Sequence, residues 1–92
     1  DFLMTLHIIK SGQAASIEQV ERIIQEDDQV LLLEDGCYLL TLAASRLKAV
    51  SALADHMKMR GLTTKAEGLE IRLISFKEWV LLTRSHKQSV TW

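Results

Sequence analysis

The sequence predicts an α/β fold, in which a small, open and mostly parallel β-sheet is flanked by helices. Its clearest sign is the run Val30–Leu33, four apolar residues that stop abruptly at Glu34-Asp35-Gly36. So short an unbroken apolar run is typical of a strand covered on both faces, as in parallel sheets packed between helices. Segments with strand and helix character alternate along the chain, and we expect right-handed crossovers between them.

The first strand and helix occupy the amino-terminal quarter of the chain. Thr5–Lys10 is short and contains several β-branched residues, which favours a strand. Ser16 is the predicted N-cap of the helix, with Glu18 and Glu21 near the positive end of its dipole. Apolar residues at helical spacing predict one buried stripe on this helix, formed by Ile17, Val20, Ile23 and Ile24.

The middle of the chain predicts two further strands, each followed by a helix. The apolar run is the second strand, and Gly36 permits a sharp reversal after it. Tyr38–Ala44 is rich in the helix-forming residues leucine and alanine. Leu47–Leu53 predicts the third strand. Asp55 can cap the helix that follows, which ends near Gly61.

The last third predicts a fourth strand and a final helix. Thr63–Gly68 is polar and predicts a loop, while Leu69–Ile74 alternates apolar and charged residues like a strand with one wet face. Ser75 and Glu78 have the spacing of a capping box. Ser85–Trp92 is expected to be a tail whose apolar end contacts partners. The helix Phe76–Thr83 is expected to direct inward Phe76, Trp79, Val80 and either Leu82 or Thr83.

The composition predicts association with other proteins. Hydrophobic residues make up 48% of the chain, whereas a domain of this size buries only about 60% of its unfolded surface. Many apolar side chains would therefore stay exposed on a monomer. The formal net charge of −1 argues against a dedicated nucleic-acid binder, which normally has a basic surplus.

The sequence gives no sign of a membrane or secretory segment. Apolar runs fall short of the roughly 20 residues that a membrane span needs, and a single cysteine suits a reducing compartment. We therefore expect a cytoplasmic protein. We also expect Met4 to be the native start, residues 1–3 to be left over from cloning, and residues 4–92 to form a single domain.

Cys37 is the candidate catalytic residue with the strongest chemical argument. The chain's only cysteine follows the second strand and precedes a helix, where free amides and the helix dipole can lower the pKa of a thiol. Such a thiol could carry a persulfide or act as a nucleophile. The alternative is a small buried hydrophobic side chain between helix and sheet, and the adjacent Glu34 and Asp35 oppose a thiolate.

The other polar residues favour structural roles. Glu34 and Asp35 are adjacent on a strand end and should point apart, so we expect one of them to cap the next helix or bind a turn amide. His7 is expected to be a satisfied core or interface residue. No metal or cofactor site is predicted, because His56 and His86 lack partners at ligand spacing and no phosphate-binding glycine loop is present. A solvated face is expected for the basic group of Lys58, Arg60 and Lys65.

Five short motifs occur in a characteristic order and spacing. They are Leu-His at Leu6-His7, Leu-Leu-Leu-Glu-Asp-Gly at Leu31–Gly36, Met-Arg-Gly-Leu-Thr at Met59–Thr63, Val-x-Leu-Thr at Val80–Thr83, and His-x-x-Ser-x-x-Trp ending on Trp92. None is specific alone. In this combination the chain resembles the TusB/DsrH family of small sulfur-relay subunits over nearly all its length.

The resemblance implies a DsrE/F-like fold, a three-layer open sheet of the flavodoxin or Rossmann kind. It implies a heterohexamer with TusC-like and TusD-like subunits. In that relay a persulfide passes from a TusA-like carrier through TusD to a TusE-like carrier, and it ends in the 2-thiolation of wobble uridine in transfer RNA. The catalytic cysteine there belongs to TusD, so the resemblance implies a mainly structural subunit without direct contact to nucleic acid.

Two alternatives to this function remain open. Some DsrH relatives carry sulfur on a cysteine of the first helix, but Val20 stands at about that position here. A DsrH-like carrier in sulfur oxidation would therefore have to use Cys37 as its persulfide site. The other alternative is a stand-alone, homo-oligomeric relative with no role in sulfur transfer.

Overall fold

A computed structural model of the protein describes residues 4–92, so the expected cloning remnant lies outside the described residues. One sheet runs in the order β4-β3-β2-β1-β5, and every neighbouring pair is parallel. The predicted α/β class is confirmed. The strands are β1 (Thr5–Ile9), β2 (Gln29–Leu32), β3 (Val50–Leu53), β4 (Arg72–Ile74) and β5 (Gln88–Thr91). The α-helices are α1 (Ala14–Ile23), α2 (Leu40–Arg46), α3 (Ala54–Met59), α4 (Thr63–Gly68) and α5 (Phe76–Ser85), and a 3₁₀ helix (Glu34–Leu39) precedes α2.

Two apolar clusters, one on each face of the sheet, give the fold three layers. The first cluster packs α1 to α4 against one face, through residues such as Ile17, Ala43, Met57 and Ala66. The second cluster packs α5 against the other face, where Trp79 and Leu82 rest on the sheet. Its buried strand residues are Leu6, Ile8, Leu31, Leu33, Leu53 and Ile74.

The position of α5 follows from the path of the chain. Strands β1 to β4 succeed one another in one direction across the sheet, and α5 then returns the chain to the far side of β1. Crossovers of one hand lie on opposite faces when they move in opposite directions. The placement of α5 opposite the other helices is therefore what right-handed connections throughout would produce.

The predicted start of α1 is wrong by three residues. The helix begins at Ala14 with Gln13 as its N-cap, and Ser16 lies buried inside it. Its first turn contains no acidic residue, because the two alanines that open it are strong helix formers and carry the helix ahead of Glu18. Ile17 and Val20 form the expected buried stripe, but Ile23 at the end of the helix is 49% exposed.

Positive φ angles shorten two predicted strands. Ala49 has φ 53° and Glu70 has φ 59°, and neither residue can continue a strand in that left-handed conformation. For this reason β3 begins at Val50 and β4 at Arg72, later than predicted.

Two segments predicted to be irregular are regular. The expected loop at residues 63–68 is the helix α4, and it forms because Ala66 buries its side chain in the first cluster. The expected tail contains β5, which pairs with β1 and ends with Trp92 packed against the same cluster. Short polar segments such as these take their structure from the neighbour that they pair with or cover.

Gly36 is needed for a reason other than the predicted reversal. The left-handed residue of this turn is Glu34, with φ 49°. Gly36 instead lies against β1, and a Cβ atom there would overlap the carbonyl oxygen of Ile9. The amide of Gly36 donates to the carbonyl groups of Lys10 at 3.1 Å and Leu33 at 2.8 Å.

The capping box of α5 is confirmed, whereas the predicted inward face is only half right. Ser75 accepts a hydrogen bond from the amide of Glu78, whose side chain accepts from the amide of Ser75. Trp79 packs inward as predicted, but Phe76 and Val80 are exposed. Within residues 4–92, no helix has the length and apolar character needed to cross a membrane.

Candidate functional site

The carboxyl edge of the sheet gathers polar side chains from three connections. We call this group the carboxyl-edge cluster, and it consists of Lys10, Glu34, Asp35, Tyr38, His56 and Arg60. They come from the end of β1, from the 3₁₀ helix after β2, and from α3 and its final turn. Ligands of open α/β sheets bind at this edge, so the cluster has the position of a functional site.

The two carboxylates of the cluster point apart, as predicted. Glu34 Oε2 lies 3.5 Å from Lys10 Nζ, and Asp35 Oδ1 lies 3.3 Å from Arg60 Nη2. The prediction that one of them caps a helix or binds a turn amide is wrong, because both face cations across the edge. The N-cap is Leu33, without a side-chain bond, and the amide of Glu34 donates to His56 Nδ1 at 2.9 Å.

Arg60 ties the 3₁₀ helix to α3. Besides the ion pair with Asp35, its Nη1 donates to the carbonyl oxygen of His56 at 3.2 Å, and its guanidinium lies 5.7 Å from the centre of the Tyr38 ring. Its side chain is only 19% exposed, so Arg60 is not on the solvated face that was predicted for it. Lys58 and Lys65 are exposed as predicted.

This arrangement brings two of the sequence motifs together. The Leu31–Gly36 and Met59–Thr63 segments meet through the pair Asp35–Arg60. The outer surface beside them is formed by Tyr38, 60% exposed, and Met59, 79% exposed. Tyrosine, methionine and arginine are the residue types enriched at protein interfaces. The cluster and its surroundings therefore have residue types that are common at protein contact surfaces.

Cys37 lies beneath the cluster and is completely buried. Its Sγ is 3.9 Å from the carbonyl oxygen of Leu32. Burial raises the pKa of the thiol to about 11, and the nearby Arg60, which favours the thiolate, does not reverse this. The effect is opposite to the lowering expected from its place near a helix start. A persulfide on Cys37 stays a prediction.

We expect the Cys37 thiol to react slowly with a thiol reagent such as dithionitrobenzoate in the native protein and quickly after unfolding. The reason is that the thiolate is the reactive form and both burial and the raised pKa suppress it. Cys37→Ser should cost about 1 to 3 kcal/mol of unfolding free energy, because a hydroxyl replaces an apolar contact. Rapid native labelling, or gain of one sulfur from a persulfide donor that Cys37→Ser abolishes, would instead support a carrier.

A second polar network lies at the amino edge of the sheet and is buried. Asp28 Oδ1 accepts the amide of Thr5 at 2.9 Å, and Oδ2 accepts the amide of Gln25 at 2.9 Å and the Nε2–H of His7 at 3.0 Å. The indole Nε1–H of Trp92 donates to His7 Nδ1 at 3.3 Å. His7 is therefore a satisfied core residue, as predicted.

Asp28 is the residue of this network that sequence reasoning missed. It reads as the last member of a solvated acidic turn, Glu26-Asp27-Asp28, but it is only 4% exposed. Burial alone would raise the pKa of its carboxyl, but the amides of Gln25 and Thr5 and the imidazole of His7 outweigh it and hold that pKa below its ordinary value. Nothing in the local pattern separates Asp28 from its two neighbours.

The remaining histidine is buried without being part of a metal site. His86 is 8% exposed, and its Nδ1–H donates to the carbonyl oxygen of Leu82 at 2.8 Å, while Nε2 has no hydrogen-bond partner. Over the described part of the chain, no three histidine, cysteine or acidic side chains are grouped so that they could hold a metal ion.

Comparison with known proteins places the chain in one family. A family model described as DsrH like protein matches residues 10–89. The protein TusB of Escherichia coli strain SMS-3-5 / SECEC is 33% identical over 98 aligned residues, which span 98% of this chain and 99% of the relative. TusB of Shigella sonnei strain Ss046 shows the same identity and coverage. The match includes both motif segments that meet at Arg60, and this chain belongs to the TusB/DsrH family.

Proposed function

We propose that this protein is a TusB-type subunit of a cytoplasmic sulfur-relay complex that serves the 2-thiolation of wobble uridine in transfer RNA. Its role is to complete a heterohexamer with TusC-like and TusD-like subunits, which exchange sulfur with TusA-like and TusE-like carriers. Membership of the TusB/DsrH family supports the relay. The buried position of Cys37 and its raised pKa support a structural part in it.

The observation that carries the assembly role is the outer face of α5. No residue of this helix is buried, although it carries five large apolar side chains. Trp79 and Leu82 cover the sheet, but Phe76, Val80 and Leu81 are exposed by 60%, 42% and 53%. In a monomer this apolar face would remain exposed to water, whereas a partner subunit would bury it.

The rest of α5 explains why this face can dock without unfolding the helix. The capping box at Ser75 and Glu78 fixes its first turn, and Trp79 makes an edge-to-face contact with Phe76 at 5.1 Å between ring centres. The contact with Trp79 favours one position of the Phe76 ring before any partner arrives. An aromatic side chain whose position is already favoured loses less conformational entropy on binding.

We expect Leu81→Glu to abolish assembly with co-expressed TusC-like and TusD-like subunits. A carboxylate at this position of the α5 face would lose its hydration when a partner subunit covered it, which is unfavourable. Size-exclusion chromatography of the purified mixture, with far-UV circular dichroism of the variant alone, measures assembly and fold separately. Lys65→Glu, an exposed charge change on α4 at the opposite face of the sheet, is the matched control and should assemble normally.

Two outcomes would contradict this proposal. Elution of the unaltered chain only as a free monomer in the presence of both partners would remove the assembly role. Normal assembly of Leu81→Glu would leave the complex possible but would exclude the α5 face as its contact.

A further inference from the structure

The edge strand β5 lacks the features that normally keep a sheet edge from pairing. Its four residues, Gln88–Thr91, contain no charge, proline or bulge, and three of them are exposed. The opposite edge strand, β4, is only three residues long and begins with Arg72. Short, charged edges discourage pairing, and uncharged exposed ones permit it.

The hydrogen bonds of β5 show which of its groups are free to pair. Trp92 donates to the carbonyl oxygen of Ile8 at 2.7 Å and accepts from the amide of Lys10 at 3.0 Å. In a parallel ladder both groups of every second residue face the same neighbour. The N–H and C=O groups of Val90 therefore also face β1, whereas those of Ser89 and Thr91 point away from the sheet.

This edge is held rigidly from the inside. The side chain of Gln88 donates to Thr5 Oγ1 at 3.0 Å, and the indole of Trp92 donates to His7, which is fixed by Asp28. The main-chain bonds of Trp92 add to these contacts at the carboxyl end. A pre-organised strand loses little entropy when another strand pairs with it.

A cavity of about 290 Å³ opens beside β5 on the α1 side of the sheet. Val90 and the half-exposed Ile23 form apolar parts of its wall. The other lining residues are polar, and they are Thr5, His7, Gln25, Asp28 and Gln88. One side chain of an added strand would have to cross about 4.8 Å, the spacing between strands, to enter it.

The charge of this cavity is negative. Trp92 donates to Nδ1 of His7, and the ring donates to Asp28 from Nε2. Burial alone would raise the pKa of the Asp28 carboxyl, but the hydrogen bonds that it accepts hold that pKa below the ordinary value. Within residues 4–92 no lysine or arginine lines the cavity. A buried carboxylate without a cation favours a positively charged occupant.

We propose that the β5 edge binds an extended segment of a partner protein as a sixth strand, with a lysine or arginine side chain of that segment in the cavity beside Ile23 and Asp28. Main-chain bonds to Ser89 and Thr91 would give affinity, and the cavity would give specificity for the basic side chain. The aliphatic stem of that side chain fits Ile23 and Val90, and its cationic head fits the polar floor.

This inference does not rest on the proposed assembly role, because β5 and the outer face of α5 are different surfaces. Leu81→Glu should leave peptide binding at β5 intact. Conversely, absence of peptide binding at β5 would not contradict assembly through α5.

The test uses the full chain and blocked five-residue peptides of alternating threonine and valine with a central arginine, glutamate or norleucine. Amide shifts in two-dimensional NMR should move first at Ser89 and Thr91 with the arginine peptide. We expect the glutamate peptide to bind roughly tenfold more weakly or worse, because it places like charge beside Asp28. The norleucine peptide should fall between them.

Two pairs of variants sharpen the test. Ser89→Pro removes an outward N–H without touching the pairing with β1, a position where edge strands tolerate proline, and it should abolish binding that Ser89→Ala retains. Ile23→Lys supplies a cation from the chain itself and should remove the preference for arginine, whereas Ile23→Gln should not. The two Ile23 variants alter only an exposed side chain, so they still test the cavity assignment if Ser89→Pro fails to fold.

Equal affinity for the arginine and glutamate peptides would overturn the cavity assignment. Unchanged binding to folded Ser89→Pro would overturn the edge assignment. Self-association in sedimentation that Ser89→Pro abolishes, without any peptide binding, would replace the partner segment by a second copy of this chain.

Discussion

Gly36→Ala should be the most destabilising single substitution in this protein, with a loss of at least about 3 kcal/mol in the free energy of unfolding. The added Cβ atom would overlap the carbonyl oxygen of Ile9, which is part of the β1 backbone and cannot rotate away. The same Ile9 oxygen accepts the amide of Leu33 at 3.0 Å. Relief of the overlap would therefore have to separate β1 from the segment after β2 at the centre of the sheet.

Guanidinium chloride titration, followed by circular dichroism, measures this loss. Gly68→Ala is the matched control, because a Cβ atom there would meet nothing within 4 Å. At that helical position alanine should be neutral or should stabilise by up to about 1 kcal/mol. Equal midpoints for the two variants would mean that Ile9 and Gly36 do not approach as closely as described.

Asp28→Asn should cost about 3 kcal/mol, because it removes a buried charged acceptor from three donors at once. An asparagine amide can satisfy only some of the groups that converge on Asp28, because its NH₂ would face either the N–H of Thr5 or those of Gln25 and His7. Asp27→Asn changes an exposed neighbour and should stay within about 0.5 kcal/mol of the unaltered protein.

The acid limb of the stability curve gives an independent check on Asp28. Its pKa is lower in the folded than in the unfolded chain, so its contribution is fully present above about pH 4. That contribution is lost as the pH falls through the lower folded value. Unfolding titrations between pH 6 and pH 2 should therefore show a shallower acid loss for Asp28→Asn. Parallel curves for the two proteins would show that Asp28 is not the group that titrates.

The class and order of the elements could be predicted because apolar periodicity reports burial. The run Val30–Leu33 is buried on both faces of the sheet. The capping box could be predicted because its hydrogen bonds involve only Ser75 and Glu78, which are close in sequence. The α4 helix and β5 were missed because their residues are mostly polar and the pattern that reveals them is tertiary. A strand such as Gln88–Thr91 exists only because β1 offers it an unpaired edge.

The candidate site likewise has features that could be predicted from the sequence and features that could not. Glu34 and Asp35 point apart as expected, towards different cations, but not because of strand geometry: both lie in the 3₁₀ helix, and Glu34 has a left-handed φ angle. Their partners could not be predicted, because Lys10 and Arg60 reach them from other connections of the fold. The expected lowering of the pKa of Cys37 failed for a similar reason: a helix start near the thiol says nothing about the layer of apolar side chains that covers it.

The pairing of the last strand with the first has a consequence for biosynthesis. Thr5 and Gln88 are partners in the sheet although the whole of the intervening chain separates them. One side of β1 must stay unpaired until β5 has been synthesised. His7 likewise lacks the hydrogen bond from the indole of Trp92 until that residue has been added. Such long-range closure is slow compared with local contacts. The nascent chain is therefore exposed to wrong pairing along β1 until β5 has been made and can pair with it.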